Sequence, residues 1–140
     1  LSSIIGPKTI VVTATDQAGN SSTKTVVVNV FWPFDGYFSP ILNPPRVNVT
    51  SPGSSIPVKF SLGGNRGMSI FRAGYPASSP CNDPTAVTRV DYPGTSTLTY
   101  SSKYDQYQFN WQTLKSYRGC RTLYLGLADG SVHTALFNFG

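Results

Sequence analysis

The chain has 140 residues and a net charge of +5, a length that fits one domain, or one small domain plus a piece of another. Only 12% of the residues are charged, about half the usual quarter, and every carboxylate is an aspartate. The eleven basic residues are scattered from Lys8 to Arg121 without a tight run, which argues against nucleic acid as a partner. No stretch of about eighteen apolar residues could span a membrane, and two cysteines are too few for a structural zinc site.

Abundant glycine, proline, serine, threonine and asparagine favour short strands and turns over helices. An acidic polymer or an anionic cell envelope suits the surplus positive charge. The chain opens at Leu1 with neither an initiator methionine nor a signal peptide, as a fragment or a processed product would.

Residues 8–16 (KTIVVTATD) and 23–30 (TKTVVVNV) alternate as strands around Gln17-Ala18-Gly19-Asn20. Ile10, Val12 and Ala14 share one face with Val26, Val28 and Val30. The pair resembles the final hairpin of the immunoglobulin-like repeats of bacterial surface proteins, and Asp16, Ala18, Gly19 and Asn20 carry the likeness. A hairpin alone is marginal in water, and its valines are an aggregation hazard if left open. Ile10, Val12, Val26 and Val28 are therefore expected to meet upstream repeats, the rest of the chain, or neighbouring copies.

Residues 31–45 (FWPFDGYFSPILNPP) carry too many aromatics for a free linker, so Trp32, Phe34, Tyr37 and Phe38 are expected at a domain junction. A short strand at 46–50 precedes a turn. Residues 55–62 (SIPVKFSL) alternate, with Ile56, Val58, Phe60 and Leu62 inward. Pro57 marks that strand as an edge or a late starter. A further strand is expected at 68–73.

Pro57-Val58-Lys59-Phe60 followed by Ser61-Leu62-Gly63-Gly64 resembles the PxKF domain. The likeness continues through Gly74-Tyr75-Pro76-Ala77-Ser78, Cys81, Tyr107-Gln108-Phe109-Asn110-Trp111, Gly119-Cys120-Arg121 and Leu127-Ala128-Asp129-Gly130. It covers about 34–140. Gln112 and Tyr117 depart from it, where lysine and tryptophan are common. The resemblance implies a C-terminal module of large secreted or surface-anchored bacterial proteins, and brings no activity and no catalytic residues.

Short strands are expected at 86–90 and 95–101, and a strictly alternating one at 105–111 with Tyr107, Phe109 and Trp111 inward. Cys81 and Cys120 read as a disulfide closing about forty residues, for at most about 4 kcal/mol of chain entropy, or else as two separate buried thiols. A disulfide implies an oxidising compartment. Trp111 is expected in the core beside Cys120. The last stretch, 120–139, is a hairpin in which Leu123, Leu125 and Leu127 share a face with Ala135, Phe137 and Phe139. A two-residue Asp129-Gly130 loop would mix the faces. A three-residue Ala128-Asp129-Gly130 loop, with Gly130 left-handed, pairs odd with odd and sets His133 opposite Leu125.

Catalytic constellations are hard to assemble. His133 is the sole histidine and reads as a rim residue bonded to backbone. The aspartates read as turn formers, although calcium at Asn82-Asp83 or at Asp16/Asn20 is conceivable. Lys115, Tyr117, Arg118 and Arg121, near Lys103 and Tyr104 if the strands pair suitably, form the best ligand surface, because tyrosines and arginines suit carboxylated sugars. Asn20-Ser21-Ser22 and Asn48-Val49-Thr50 are glycosylation sequons.

The expectation is an all-β chain. A terminal hairpin (1–30) precedes an immunoglobulin-like antiparallel β-sandwich (31–140) of about seven strands with one disulfide. Its role is expected to be non-enzymatic, without cofactor or metal. It would be a structural or adhesive module at the cell surface or outside the cell, associating through strand addition. The alternative is a carbohydrate-binding module for acidic polysaccharide.

Overall fold

The computed structural model describes residues 6–90 and 98–140. The chain forms two units, Leu1–Trp32 and Pro33–Gly140. In the first, β1 (Gly6–Thr15) and β2 (Ser21–Val30) pair antiparallel, with Ile10 opposite Val26 and Val12 opposite Lys24. Asp16 writes the turn between them. Its carboxylate accepts the Ala18 and Asn20 N–H groups at 3.0 and 2.9 Å, while Gly19 takes φ +85°.

The second unit is an immunoglobulin-like sandwich, and no helix occurs among the described residues. One sheet runs in the order β3 (Tyr37–Phe38), β5 (Ser55–Phe60), β9 (Gln106–Gln112), β8 (Thr99–Ser101). The other runs β4 (Val47–Thr50), β11 (Val132–Phe139), β10 (Gly119–Gly126), β6 (Ala77–Pro80), β7 (Thr88–Arg89). Period-two alternation builds the space between them. Val58, Phe60, Tyr107, Phe109 and Trp111 of the first sheet are buried, as are Leu123, Leu125, Ala135, Phe137 and Phe139 of the second. Trp111 meets Phe137 and Phe139 edge to face, with centroids 5.2 and 6.0 Å apart. Each such buried side chain stabilises the fold by about 1.5–3 kcal/mol.

The closing hairpin adopts the three-residue loop. Leu123 lies opposite Ala135 and Leu125 opposite His133, and Gly130 has φ +92°. Asp129, itself buried, accepts the Ser131 N–H at 2.9 Å and holds the loop.

Several expectations change. The sandwich is not wholly antiparallel, because β4 runs parallel to β11, with Val47 beside Leu136 and Thr50 beside Phe139. The chain leaves the first sheet after β3, and the proline-rich residues 39–46 carry it across to the second. Residues 68–73 form no strand. Bounded by Gly67 and Gly74, both at positive φ, they contribute the isolated bridge Phe71–Leu127 with hydrogen bonds from Arg72 N to Gly126 O and from Ala128 N to Ile70 O. The strand expected at 86–90 shrinks to Thr88–Arg89, because Asp83 draws Thr85 and Ala86 into a turn. Of 95–101, residues 95–97 lie outside the described residues, and the strand is Thr99–Ser101. Asp105, at φ 49°, belongs to the turn before β9, where it accepts the Tyr100 and Ser61 hydroxyls. β5 has neighbours on both sides, but β3 reaches only Lys59 and Phe60, so Pro57 sits where the strand has no partner opposite β9.

The disulfide joins Cys81 to Cys120, with Cα atoms 5.4 Å apart. It links neighbouring strands of one sheet, since Arg121 lies opposite Pro80 and the Cys81 N–H donates to Cys120 O at 3.1 Å. Both cysteines are exposed. Trp111 is therefore not beside the disulfide. Cys120 sits at an outward position of β10, whereas the tryptophan points inward onto Tyr117, Phe137 and Phe139.

Candidate functional site

The six residues expected to form a ligand surface separate into two groups. Lys103 and Tyr104 occupy the β8–β9 turn, with the lysine ammonium 5.3 Å from the tyrosine ring. Lys115, Tyr117, Arg118 and Arg121 lie at the other end of β9, about 20 Å away at 3.3 Å per strand residue.

The second group is held firmly. Thr113 donates its N–H and its hydroxyl to Ser54 O, at 3.0 and 2.6 Å, and Gln112 Nε2 donates to Gly53 O at 3.0 Å. Arg118 folds back on its own loop, donating to Lys115 O and Tyr117 O, both at 2.7 Å. Tyr117 is 8% exposed, its ring against Trp111 and Phe139. A buried ring offers no platform for a sugar, so stacking at Tyr117 drops out.

Arg121 is the unusual member. It occupies an inward position of β10 in phase with Leu123 and Leu125, yet carries a full charge and is 7% exposed. Its guanidinium carbon lies 3.8 Å from the Tyr117 ring centroid. Nε donates to Ser78 Oγ at 2.8 Å and Nη2 reaches Ser78 O at 3.5 Å. Ser78 escaped the sequence reading. The signal was the disulfide: once Cys81 faces Cys120, Pro80 faces Arg121, and Ser78 follows two residues away on the same face.

On the hairpin, Ile10, Val12 and Val26 are 42, 52 and 37% exposed, and Val11 and Val27 of the opposite face more so. The Val28 side chain lies outside the described ones. β1 and β2 form a two-stranded sheet, so each has one edge without a strand partner among the described residues.

His133 stacks on Phe34, with centroids 3.8 Å apart, and Nε2 lies 3.1 Å from Ser131 Oγ. It contacts a hydroxyl rather than the expected backbone. That hydroxyl donates to Asp129 at 2.5 Å, so the ring nitrogen donates to the oxygen. A serine nucleophile needs the reverse, a base that accepts its proton. Burial holds the His133 pKa below its ordinary value, with Asp129 opposing.

Among the remaining candidates, Asp16 and Asp83 spend their carboxylates on their own turns, and those hydrogen bonds lower both pKa values. Among the described residues no three metal-binding side chains converge. Asn48 is buried, with its amide bonded to Leu42 and Leu136, so that sequon is closed to modification. A groove of about 360 Å³ opens between β4 and β5 over Phe137, lined by Ile41, Leu42, Val49, Ile56 and Pro57.

No family model, curated protein or solved structure matches the chain.

Proposed function

We propose that the chain is a non-enzymatic extracellular module, structural or adhesive, of a bacterial cell-surface or secreted assembly, and that it associates with like chains through its hairpin. The observation that carries this is the open sheet of β1 and β2, two ten-residue strands with exposed valine and isoleucine and outer edges that no strand pairs among the described residues. An exposed disulfide suits an oxidising exterior, and the likeness to the PxKF domain supplies the bacterial setting. Among the described residues no helix is long and apolar enough to cross a membrane.

Sedimentation velocity over a range of concentrations tests the reading. The full chain should form larger species that disappear when residues 1–30 are deleted, or in the double variant Val12→Lys, Val26→Lys. A profile unchanged by either alteration would count against assembly through the hairpin.

A second reading, a module for acidic glycans, rests on Arg121, with Lys115 and Arg118 a few residues before it in the chain. Lys103 and Tyr104 are too distant to contribute.

A further inference from the structure

A buried cation needs a counter-charge or a full set of acceptors, because removal from water penalises the charged form heavily. Arg121 has neither among the described residues. Its interactions are one serine and one aromatic face, and no carboxylate of the described residues pairs with it. Ser78 takes the Nε–Nη2 edge of the guanidinium, which leaves Nη1 and the second Nη2 hydrogen without an acceptor among the described residues. Arg121 is 7% exposed, and its terminal nitrogens are not among the fully buried, unpartnered polar atoms of the described residues, so that end keeps a narrow contact with solvent. One planar face is covered by Tyr117, itself buried.

The guanidinium is thus fixed on one edge and one face, largely withdrawn from water, and free at its terminal pair of N–H groups. That is the geometry a carboxylate accepts as two parallel hydrogen bonds. The net charge of +5, with Lys115 and Arg118 a few residues away in the chain, adds a positive potential that favours anions. Rigidity matters too. The Cys81–Cys120 bridge, next to Arg121 on one strand and three residues beyond Ser78 on the other, ties these strands together, so little conformational entropy is lost when an anion docks.

We infer that Arg121, seated on Ser78 and Tyr117, is a preformed receptor for one carboxylate group, such as that of an acidic saccharide. The site narrows the glycan reading to a single interaction and stands independently of association through the hairpin. Ser78 and Tyr117 are positioning residues that hold the guanidinium, and only Arg121 touches the ligand.

The test is a titration of the full, oxidised chain with sodium glucuronate, sodium acetate, sodium sulfate and neutral methyl glucoside at constant ionic strength. The Arg121 Nε–H resonance is followed by ¹⁵N-correlated NMR. Glucuronate and acetate should both shift it, and methyl glucoside should not. Arg121→Lys should weaken carboxylate binding about tenfold or more, because an ammonium cannot make the paired contact. Arg118→Ala should weaken it by less than about threefold and mainly reduce its salt dependence.

Binding of acetate with no gain for glucuronate would support the receptor while removing the glycan reading. An unmoved Arg121 resonance with both carboxylates in the unaltered chain would overturn the inference, whatever the variants do. So would a shift with sulfate alone. Asp91 lies outside the described residues. If carboxylates bound only after Asp91→Asn, the counter-charge would be internal and the inference would also fall.

Discussion

Two single residues in the sandwich carry polar groups whose surroundings decide the sign of a measurable effect. The Tyr37 hydroxyl is buried without a partner among the described residues, and burial pushes its pKa upward. A desolvated hydroxyl with no hydrogen bond destabilises the folded state, so Tyr37→Phe should raise stability by about 1 kcal/mol in chemical denaturation. Stability lost in that variant would show that the hydroxyl has a partner. His133 sets a pH dependence. Its folded pKa lies below the ordinary 6.5 because burial disfavours the charged ring, so the unfolded chain binds the proton more readily. Stability is therefore complete above pH 6.5 and falls as pH drops toward the lowered folded value. The Asp16 and Asp83 carboxylates start from 3.8 and are lowered further, so they act in a separate, more acidic window. Urea midpoints measured from pH 7.5 to 5 should decline, and His133→Phe, which keeps the stack on Phe34, should flatten that decline.

At the scale of elements, β10 and the segment before β6 meet at one close contact. A Cβ on Gly126 would stand 2.5–2.8 Å from three atoms of the Tyr75 ring, so glycine is required there by packing. Gly126→Ala should cost about 1–3 kcal/mol, as overpacking does, and should cost much less in a Tyr75→Ala background. Equal costs in both backgrounds would mean that the ring is not the obstacle. This element also shows what the sequence discloses. The odd-with-odd register of β10 and β11 was legible because both strands bury one face and Asp129-Gly130 allows few loops. The alternation of β9 was legible for the same reason. Residues 68–73, with Ile70 and Phe71 at their centre, suggest a strand, yet their flanking glycines confine them to one bridge, and residue type does not register that competition. The parallel run of β4 beside β11 was hidden because its partner lies 89 residues along the chain, at Leu136 for Val47, and nothing local announces it. The Arg121 site was half legible: its parity places it inward, but a charge at an inward position reads as surface until Ser78 and Tyr117 are seen around it.

For the molecule as a whole, the sandwich depends on interlocking aromatics for the cohesion of its two sheets. Its covalent bridge lies within one sheet, on the outer side. The arrangement of its terminal strands has a mechanical consequence. β4, near the start of the sandwich, lies parallel to β11, at its end. Tension applied through the two chain ends drags these strands past one another lengthwise, so their hydrogen bonds must yield together instead of opening one at a time. Once they yield, the Cys81–Cys120 bridge, which spans a sequence separation of 39, withholds about 130 Å of chain from extension at about 3.4 Å per residue. Single-molecule pulling should show one high rupture peak, lengthened by that amount after reduction, whereas gradual peeling at low force would mean that β4 bears no load. Tension thus arrives as shear, and part of the chain's length is held in reserve until the bridge is reduced.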